Sequence, residues 1–278
     1  MSYTPPSTAK PYTVNIPDST LTSWRQLLEL SPLGPQTFEN TQDKENYGIT
    51  YKWLSDAKDH WLNTFSWRDQ EKHINSFPNY RMQIEDIDLH FVALFSEKKD
   101  AVPIIFMHGW PGSFIEFLPM CELIRNKYAA KDLPYHIIVP SLPGYTLSAK
   151  TPLDKDWSLQ DSTRVLDQLM KNLGFGKYIA QGGDVGSFVG MAMAVTSDSC
   201  VALHCKFSLD GGVLRIIYIR DETIYVQYEL TFLSEHDGEE QRGRGRRRRQ
   251  TQSPRENRHE ALTAVQRRRP RICDRARL

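Results

Sequence analysis

The sequence predicts an α/β fold, with a mostly parallel sheet, helices on both of its faces, a smaller amino-terminal domain and a basic tail. Short apolar segments alternate with longer helical segments from residue 101 to about residue 207, which is typical of parallel strands joined by helices. A glycine-rich corner, QGGDVG, joins one of these strands directly to a helix. The chain has 278 residues, with 40% hydrophobic and 25% charged, so a sizeable globular core is expected.

Helices and a strand are expected in the amino-terminal part. Residues 18–30 carry apolar side chains at helical spacing, with Asp18 or Ser19 as the cap. Residues 51–67 repeat aromatic side chains at helical spacing, and we interpret these aromatics as packing residues. They are Trp53, Trp61 and Phe65. Residues 83–95 alternate apolar and polar side chains, as one half-buried strand does.

The central part repeats the order strand, helix, strand, helix, strand before the glycine-rich corner. The predicted strands are VPIIFMHGW, YHIIVPSLPGY and KYIAQ, and the first helix is FIEFLPMCELIRNKY with an interruption at Pro119. The second helix begins with a Ser158/Asp161 capping box and is closed by Gly174. Each predicted strand is thus followed by a helix that connects it to the next strand, which is the order expected of a parallel sheet.

Asp184 occupies the corner position at which a G-x-S-x-G elbow presents its nucleophilic serine. An aspartate between glycines is more often a plain turn, so the context of strand, helix and upstream loop has to support a reactive site. A carboxylate is ionised at neutral pH and can attack a saturated carbon that carries a leaving group, forming an ester. Water then cleaves that ester, with a general base to activate the water and N–H donors to stabilise the oxyanion.

Backbone donors for that oxyanion are expected at two places. One is the N–H of Val185, the residue after the candidate nucleophile. The other is the N–H of Trp110 in the loop HGWPGS, which follows a buried strand. His108 opens this loop, and we interpret it as a structural histidine, because a general base has to reach the ester from the opposite side.

Three sequence blocks carry a family resemblance, and they are HGWPGSFIEF, PSLPGYTLS and QGGDVGSFVG. In this order they resemble motifs of the epoxide hydrolases of the microsomal type and their soluble fungal relatives, over roughly residues 10–207. The resemblance implies an α/β-hydrolase fold in which Asp184 opens an epoxide and the Trp110 and Val185 N–H groups form the oxyanion hole. It also implies a small apolar epoxide and water as reactants, with no metal or organic cofactor.

The expected domains are an epoxide hydrolase amino-terminal domain over 10–95, the first half of the hydrolase core over 96–207, and an arginine-rich tail over 208–278. The tail composition predicts disorder. The family's water-activating histidine, its acidic partner and its two lid tyrosines match no residue of this chain. We therefore expect an ester at Asp184 with little turnover, and one hypothesis is that the reading frame departs from the ancestral one near Phe207.

Other functions remain open from the sequence. A haloalkane dehalogenase would use the same aspartate chemistry, but such enzymes usually have a tryptophan where this chain has Val185. Alternatively, the segment RGRGRRRRQ could bind RNA or an acidic partner, although the tail lacks aromatic stacking residues, so nucleic-acid binding is not favoured. No apolar run indicates a membrane anchor, and four sparse cysteines indicate no disulfide framework, so we expect a soluble, cytoplasmic protein. The sequence does not predict an oligomeric state.

Overall fold

The computed structural model describes residues 3–42, 47–209, 212–219 and 225–230, and the chain forms two compact units. The smaller unit contains residues 11–79, and the larger unit contains residues 1–10 and the chain from residue 80 onward. These units are defined by contacts within the chain. The domain limits predicted from the sequence, at residues 95 and 207, stay predictions.

Helices α1 (Asp18–Leu30), α2 (Tyr51–Asn63) and α3 (Trp67–Asn75) make up most of the smaller unit. The predicted cap of α1 is wrong, because Pro17 occupies the N-cap position and no side chain caps the helix. The single helix predicted over 51–67 is also wrong. Ser66 accepts a hydrogen bond from the Asp69 N–H and so starts a separate helix, α3.

The aromatic side chains of the smaller unit are only partly packed. The Trp24 ring lies 6.4 Å from the Trp61 ring and 6.0 Å from the Phe65 ring, between centroids. However, Trp53 is 57% exposed and Trp61 is 49% exposed. The interpretation of all these aromatics as packing residues therefore fails at Trp53.

The described strands form one sheet of nine, and they are β1 (Lys10–Pro11), β2 (Asn79–Ile84), β3 (Ile87–Leu94), β4 (Val102–Met107), β5 (Tyr135–Pro140), β6 (Tyr178–Gly183), β7 (Cys200–Leu209), β8 (Gly212–Ile219) and β9 (Tyr225–Leu230). Their order in the sheet is β1-β2-β3-β5-β4-β6-β7-β8-β9. Strands β5, β4, β6 and β7 run parallel, whereas β3 pairs with β5, β7 with β8, and β8 with β9 in the antiparallel sense. The predicted α/β-hydrolase fold is thus confirmed, with antiparallel strands at both sides of the parallel centre.

Two predicted elements differ in the larger unit. The single strand predicted over 83–95 is wrong, because Glu85 adopts a φ of 50° and turns the chain between β2 and β3. Pro119 does not interrupt a helix, because α4 (Leu118–Lys127) begins one residue before it, after a short 3-10 helix at Phe114–Phe117. Proline is tolerated in a first helical turn, where its missing N–H would have no partner.

Helix α5 (Leu159–Asn172) follows its prediction closely. Ser158 and Asp161 form the expected capping box, and Gly174 closes the segment with a φ of 87°. Its buried face packs into the core formed with the sheet. That face consists of Val165, Leu166, Leu169 and Met170. Burying each such side chain contributes about 1.5–3 kcal/mol, so α5 is a principal support of the sheet.

Most of the predicted tail lies outside the described residues. Within 208–278 the structure has β8 and β9, and residues 231–278, which include the arginine-rich segment, are not among those described. The predicted disorder of the arginine-rich segment and the alternative of RNA binding therefore lie outside the described residues. Among the described helices, none combines the length and the apolar character that a bilayer crossing requires.

Candidate active site

Asp184 stands at a sharp corner between β6, which ends at Gly183, and helix α6 (Val185–Thr196). Its backbone has a φ of 49° and a ψ of −119°, a conformation that side-chain-bearing residues rarely adopt. The residue is exposed, at the carboxyl end of a central parallel strand. Ligands of α/β sheets bind at this end, so the corner presents Asp184 where a substrate would arrive.

Two glycines allow the corner to fold this tightly. A Cβ on Gly182 would lie 2.1 Å from the Gly186 carbonyl oxygen, and a Cβ on Gly186 would lie 2.2 Å from the Met107 carbonyl oxygen. Backbone atoms cannot yield to such contacts without moving a strand or a helix. The G-x-D-x-G spacing is therefore a packing requirement that positions Asp184.

The loop after β4 contacts the Asp184 carboxylate. The Trp110 N–H donates a hydrogen bond of 2.8 Å to Asp184 Oδ1. A Cβ on Gly109 would lie 2.5 Å from Asp184 Cβ, so only glycine lets the loop approach this closely. The Trp110–Pro111 peptide bond is cis. The structure thus brings the two predicted residues Trp110 and Asp184 together.

Val185, the other predicted donor, is the first residue of α6. The N–H groups of a first helical turn have no acceptor within the helix, and they lie at the positive end of the helix dipole. Ser187 lies in the same first turn, and its hydroxyl oxygen is 3.0 Å from the carbonyl oxygens of both Gly182 and Lys206, which share its one donated proton. The predicted roles of Val185, Trp110 and Asp184 in a reaction stay predictions.

His108 is fully buried and both of its ring nitrogens are engaged. Nδ1 lies 2.9 Å from the Gly109 carbonyl oxygen, and Nε2 lies 3.1 Å from the Leu142 N–H, which donates to it. Burial lowers the pKa of His108, and the hydrogen bond to Gly109 opposes this shift only in part. A neutral imidazole that accepts at Nε2 and donates at Nδ1 has no nitrogen left for a base, in agreement with its structural interpretation.

A buried polar network supports the neighbouring PSLPGYTLS loop. His90 Nδ1 lies 2.9 Å from the Ser141 hydroxyl oxygen, which lies 2.9 Å from that of Thr146. The Ser148 hydroxyl donates to the Ser141 carbonyl oxygen at 2.7 Å. Burial first, and then the charge of Arg81, lowers the pKa of His90 to about 3. His90 lies on β3, and the sequence gives no indication of its partner.

Glu116 is a residue that the sequence analysis missed. Its Oε2 atom would lie 2.6 Å from a Cβ on Gly112, so the carboxyl sits against the loop that holds Asp184. Although the residue as a whole is exposed, desolvation of the carboxyl and the negative charge of Asp184 raise the pKa of Glu116. Glu116 is the one acidic residue of the block HGWPGSFIEF, so the sequence could have identified it as a candidate. The sequence does not show that Glu116 lies near Asp184.

None of the buried histidines in the described part of the chain is available to activate water at Asp184. The buried histidines there are His90, His108 and His136, and each hydrogen-bonds within the structural framework. His236 and His259 lie outside the described residues. Among described side chains, no group of three or more His, Cys, Asp or Glu could hold a metal ion. The general base and its acid stay unassigned.

Comparisons with known families match both halves of the described chain. The family described as "Epoxide hydrolase N terminus" matches residues 9–117, and the family described as "alpha/beta hydrolase fold" matches residues 102–205. Together these matches cover residues 9–205, which include Trp110, Glu116, Asp184 and Val185.

Solved structures and curated proteins give the same result. The structure of Aspergillus niger epoxide hydrolase is 50% identical with a TM-score of 0.70, covering 74% of this chain and 55% of that one. Juvenile hormone epoxide hydrolase from the silkworm Bombyx mori is 25% identical with a TM-score of 0.62, covering 73% of this chain and 54% of that one. Epoxide hydrolase 1 of Sus scrofa is 31% identical over 217 residues, covering 75% of this chain and 46% of that protein.

The match covers a larger share of this chain than of its relatives. A relative from Dothistroma septosporum is 42% identical over 215 residues, which cover 73% of this chain but 51% of that protein. The chain spans about half the length of the curated relatives it matches.

Proposed function

Because this chain belongs to the epoxide hydrolase family, we propose that its Asp184 carboxylate opens small apolar epoxides and forms an ester with the substrate. The observation that carries this proposal is the 2.8 Å hydrogen bond from the Trp110 N–H to Asp184 Oδ1 at the strained corner. A plain turn aspartate would have no need of a donor from another strand's loop.

In the first step the two carboxylate oxygens have different tasks. Oδ1 accepts the Trp110 N–H, which leaves Oδ2 as the oxygen that attacks an epoxide carbon. A bond forms between Oδ2 and carbon, the carbon–oxygen bond of the epoxide breaks, and the released alkoxide takes a proton from water or from an acid. Oδ1 becomes the carbonyl oxygen of the ester, already beside its donor.

In the second step water loses a proton to the solvent and attacks the ester carbonyl carbon, so negative charge develops on Oδ1. The bond between Cγ and Oδ2 then breaks, Oδ2 leaves as a hydroxyl oxygen of the diol with the remaining proton of the water, and the Asp184 carboxylate is restored with an oxygen from water. The Trp110 N–H is in place for this charge, and the Val185 N–H at the start of α6 supports it from the helix end. Donors that are fixed before the reaction stabilise an oxyanion without reorganising. The reactants are the epoxide and water, so this chemistry calls for no metal or organic cofactor.

Water activation limits the turnover that we expect. The buried histidines of the described part are held in the framework, and none of them hydrogen-bonds to Asp184. We therefore propose that ester formation outpaces ester hydrolysis in this chain. The proposed organisation is an amino-terminal domain over 10–95, the reactive core over 96–207 and an arginine-rich tail over 208–278, in a cytoplasmic protein. The first part of this tail contributes β8 and β9 to the sheet of the core.

The test is intact-mass measurement of the 278-residue chain after incubation with styrene oxide. We expect a mass increase of one epoxide, mapped by peptide sequencing to Asp184, and no increase in D184N. The matched control is D154N, which changes an exposed aspartate away from the corner and should be modified like the wild type. A modification that persists in D184N, or repeated turnover without an ester, would contradict the proposal.

A further inference from the structure

Glu116 lies on the short 3-10 helix that follows the Trp110 loop. The Glu116 N–H donates to the Ser113 carbonyl oxygen at 3.1 Å, which holds this turn directly against the loop. On the loop side, Gly112 leaves room for the Glu116 carboxyl, since a Cβ there would lie 2.6 Å from Oε2 and 3.6 Å from Cδ. A Cβ on Gly112 would also lie 3.3 Å from the Gly109 carbonyl oxygen, and a Cβ on Gly109 would lie 2.9 Å from Asp184 Oδ1. The Glu116 and Asp184 carboxyl groups therefore lie against neighbouring parts of the same loop.

Asp184 is the charged residue whose effect on Glu116 the structure identifies. Among the described residues, Glu116 takes part in none of the ion pairs, and Asp184 is the charged residue that acts on its ionisation. On α4, Arg125 pairs with Glu122 at 3.3 Å. On the loop, His108 is buried and faces Gly109 and Leu142. The electrostatic interaction that remains is repulsion between the two carboxylates.

We propose that Glu116 is a positioning residue whose negative charge favours alkylation of Asp184 and opposes hydrolysis of the resulting ester. This inference rests on the proposed function, because it concerns the same two steps. Glu116 exchanges no bond and no proton with the substrate. Its negative charge repels the Asp184 carboxylate before the ester forms, and it repels the oxyanion that develops on Oδ1 when the ester is hydrolysed.

Whether the Glu116 charge accelerates or slows each step depends on the charge of Asp184 in that step. Ester formation converts a carboxylate into a neutral group, so it relieves the repulsion with an ionised Glu116. Ester hydrolysis restores negative charge on Oδ1, first as an oxyanion, so the same ionised Glu116 raises that barrier. By linkage, alkylation of Asp184 removes one of the causes that raise the pKa of Glu116, so that pKa falls in the ester form.

The experiment measures the rate of ester formation with styrene oxide as a function of pH. In the wild type the rate should rise by about three- to tenfold over the pH range in which Glu116 ionises. In E116Q this rise should be absent, whereas E116D, which keeps the charge, should retain it. The matched control is E122Q, a nearby glutamate on α4, which should behave like the wild type.

The outcomes separate this inference from the proposed function. No ester at Asp184 in the wild type would contradict the proposed function itself. An ester with the same pH profile in the wild type and E116Q would contradict the role of Glu116 alone. A rate that falls as Glu116 ionises would also contradict it, because such a fall indicates a proton donor. Urea unfolding of E116Q and E116D shows whether each variant is folded. If E116Q is not folded, E116A removes the same charge and takes its place in the comparison with E116D.

Discussion

Single glycines decide how closely the Asp184 corner approaches strand β4. Gly186 is the critical one, because a Cβ there would also lie 2.8 Å from the His108 carbonyl oxygen, at the base of the Trp110 loop. Backbone on both sides leaves no flexible side chain to move aside. The hydrogen bond from Trp110 to Asp184 thus depends on residues that contribute no functional group.

We expect G186A to lower the free energy of unfolding by about 2–4 kcal/mol, as overpacking against fixed backbone does. The matched control is G176A, since a Cβ on Gly176 meets nothing within 4 Å. Urea titration followed by tryptophan fluorescence measures both variants. Equal stability of G186A and G176A would show that the corner relaxes freely, contrary to the packing described here.

The residues at the site differed in how well the sequence could reveal them. Two glycine-rich motifs, HGWPGS and QGGDVG, contain Trp110, Asp184 and Val185. Because the local sequence of such motifs determines their backbone conformation, these residues could be predicted as site residues. Glu116 could not, because its significance depends on a charge that approaches it only through the tertiary fold. The same limit applies to His90, whose partner Ser141 follows a different strand.

At the scale of elements, Asp167 joins α5 to its neighbours β6 and α6. Its Oδ1 accepts the Tyr178 hydroxyl at 2.6 Å and the Ser197 hydroxyl, and its Oδ2 lies 2.6 Å from Lys171 Nζ. Burial of Asp167 opposes its ionisation, but the hydrogen bonds from Lys171, Ser197 and Tyr178 together lower its pKa. One carboxylate therefore holds a strand and the end of α6 against α5.

We expect D167N to lower the free energy of unfolding by about 2 kcal/mol, because it removes a charged acceptor and leaves the Tyr178 hydroxyl poorly paired. Since the folded pKa is lowered, this stabilisation is complete above the unfolded value of about 4 and is lost as the pH falls through the folded value. Urea titrations at neutral pH and near pH 3 measure it. A difference from wild type that is as large at the lower pH would contradict the ionic explanation.

Elements were predictable where their ends carry a local signal. Helix α5 was placed correctly because its capping box and Gly174 mark both ends. The stretch over 51–67 was read as one helix because Thr64 and Ser66 do not interrupt the apolar period, although Ser66 caps a new helix. The turn at Glu85 was missed because a positive φ at glutamate has no sequence signature.

At the scale of the molecule, three buried histidines make the larger unit sensitive to acid. Burial lowers the pKa of His90, His108 and His136, and each ring accepts or shares hydrogen bonds that suit its neutral form. The unfolded chain would take up protons at these groups near pH 6.5. Between the unfolded and the folded pKa values, acid therefore favours unfolding.

We expect the free energy of unfolding to fall by about 2 kcal/mol between pH 7 and pH 5 through His90 alone, given its folded pKa of about 3. H90Q keeps a hydrogen-bonding side chain but cannot titrate, so its stability should change less over this range. Urea titrations at the two pH values measure the effect. A pH dependence identical in wild type and H90Q would assign the effect to other groups.

The topology of the molecule was predictable only at its centre. Alternating strands and helices indicated the parallel strands β5, β4, β6 and β7, because a parallel connection needs a helix between strands. The antiparallel strands at the sides of the sheet could not be predicted. Short apolar segments such as β8 and β9 do not indicate whether a strand pairs parallel or antiparallel. The order of motifs along the chain was enough to predict the Asp184 site. The effect of Asp184 on the pKa of Glu116 required the tertiary structure.

The close approach at Gly182 and Gly186 also has a consequence in genetics. All glycine codons begin with the same two bases, so every missense change in them adds at least a methyl group, and at these positions that methyl group would overlap a carbonyl oxygen. Synonymous changes leave the corner intact. Natural populations carrying a functional copy should therefore show third-base variation at codons 182 and 186 without amino-acid variation, whereas codon 176 should show both.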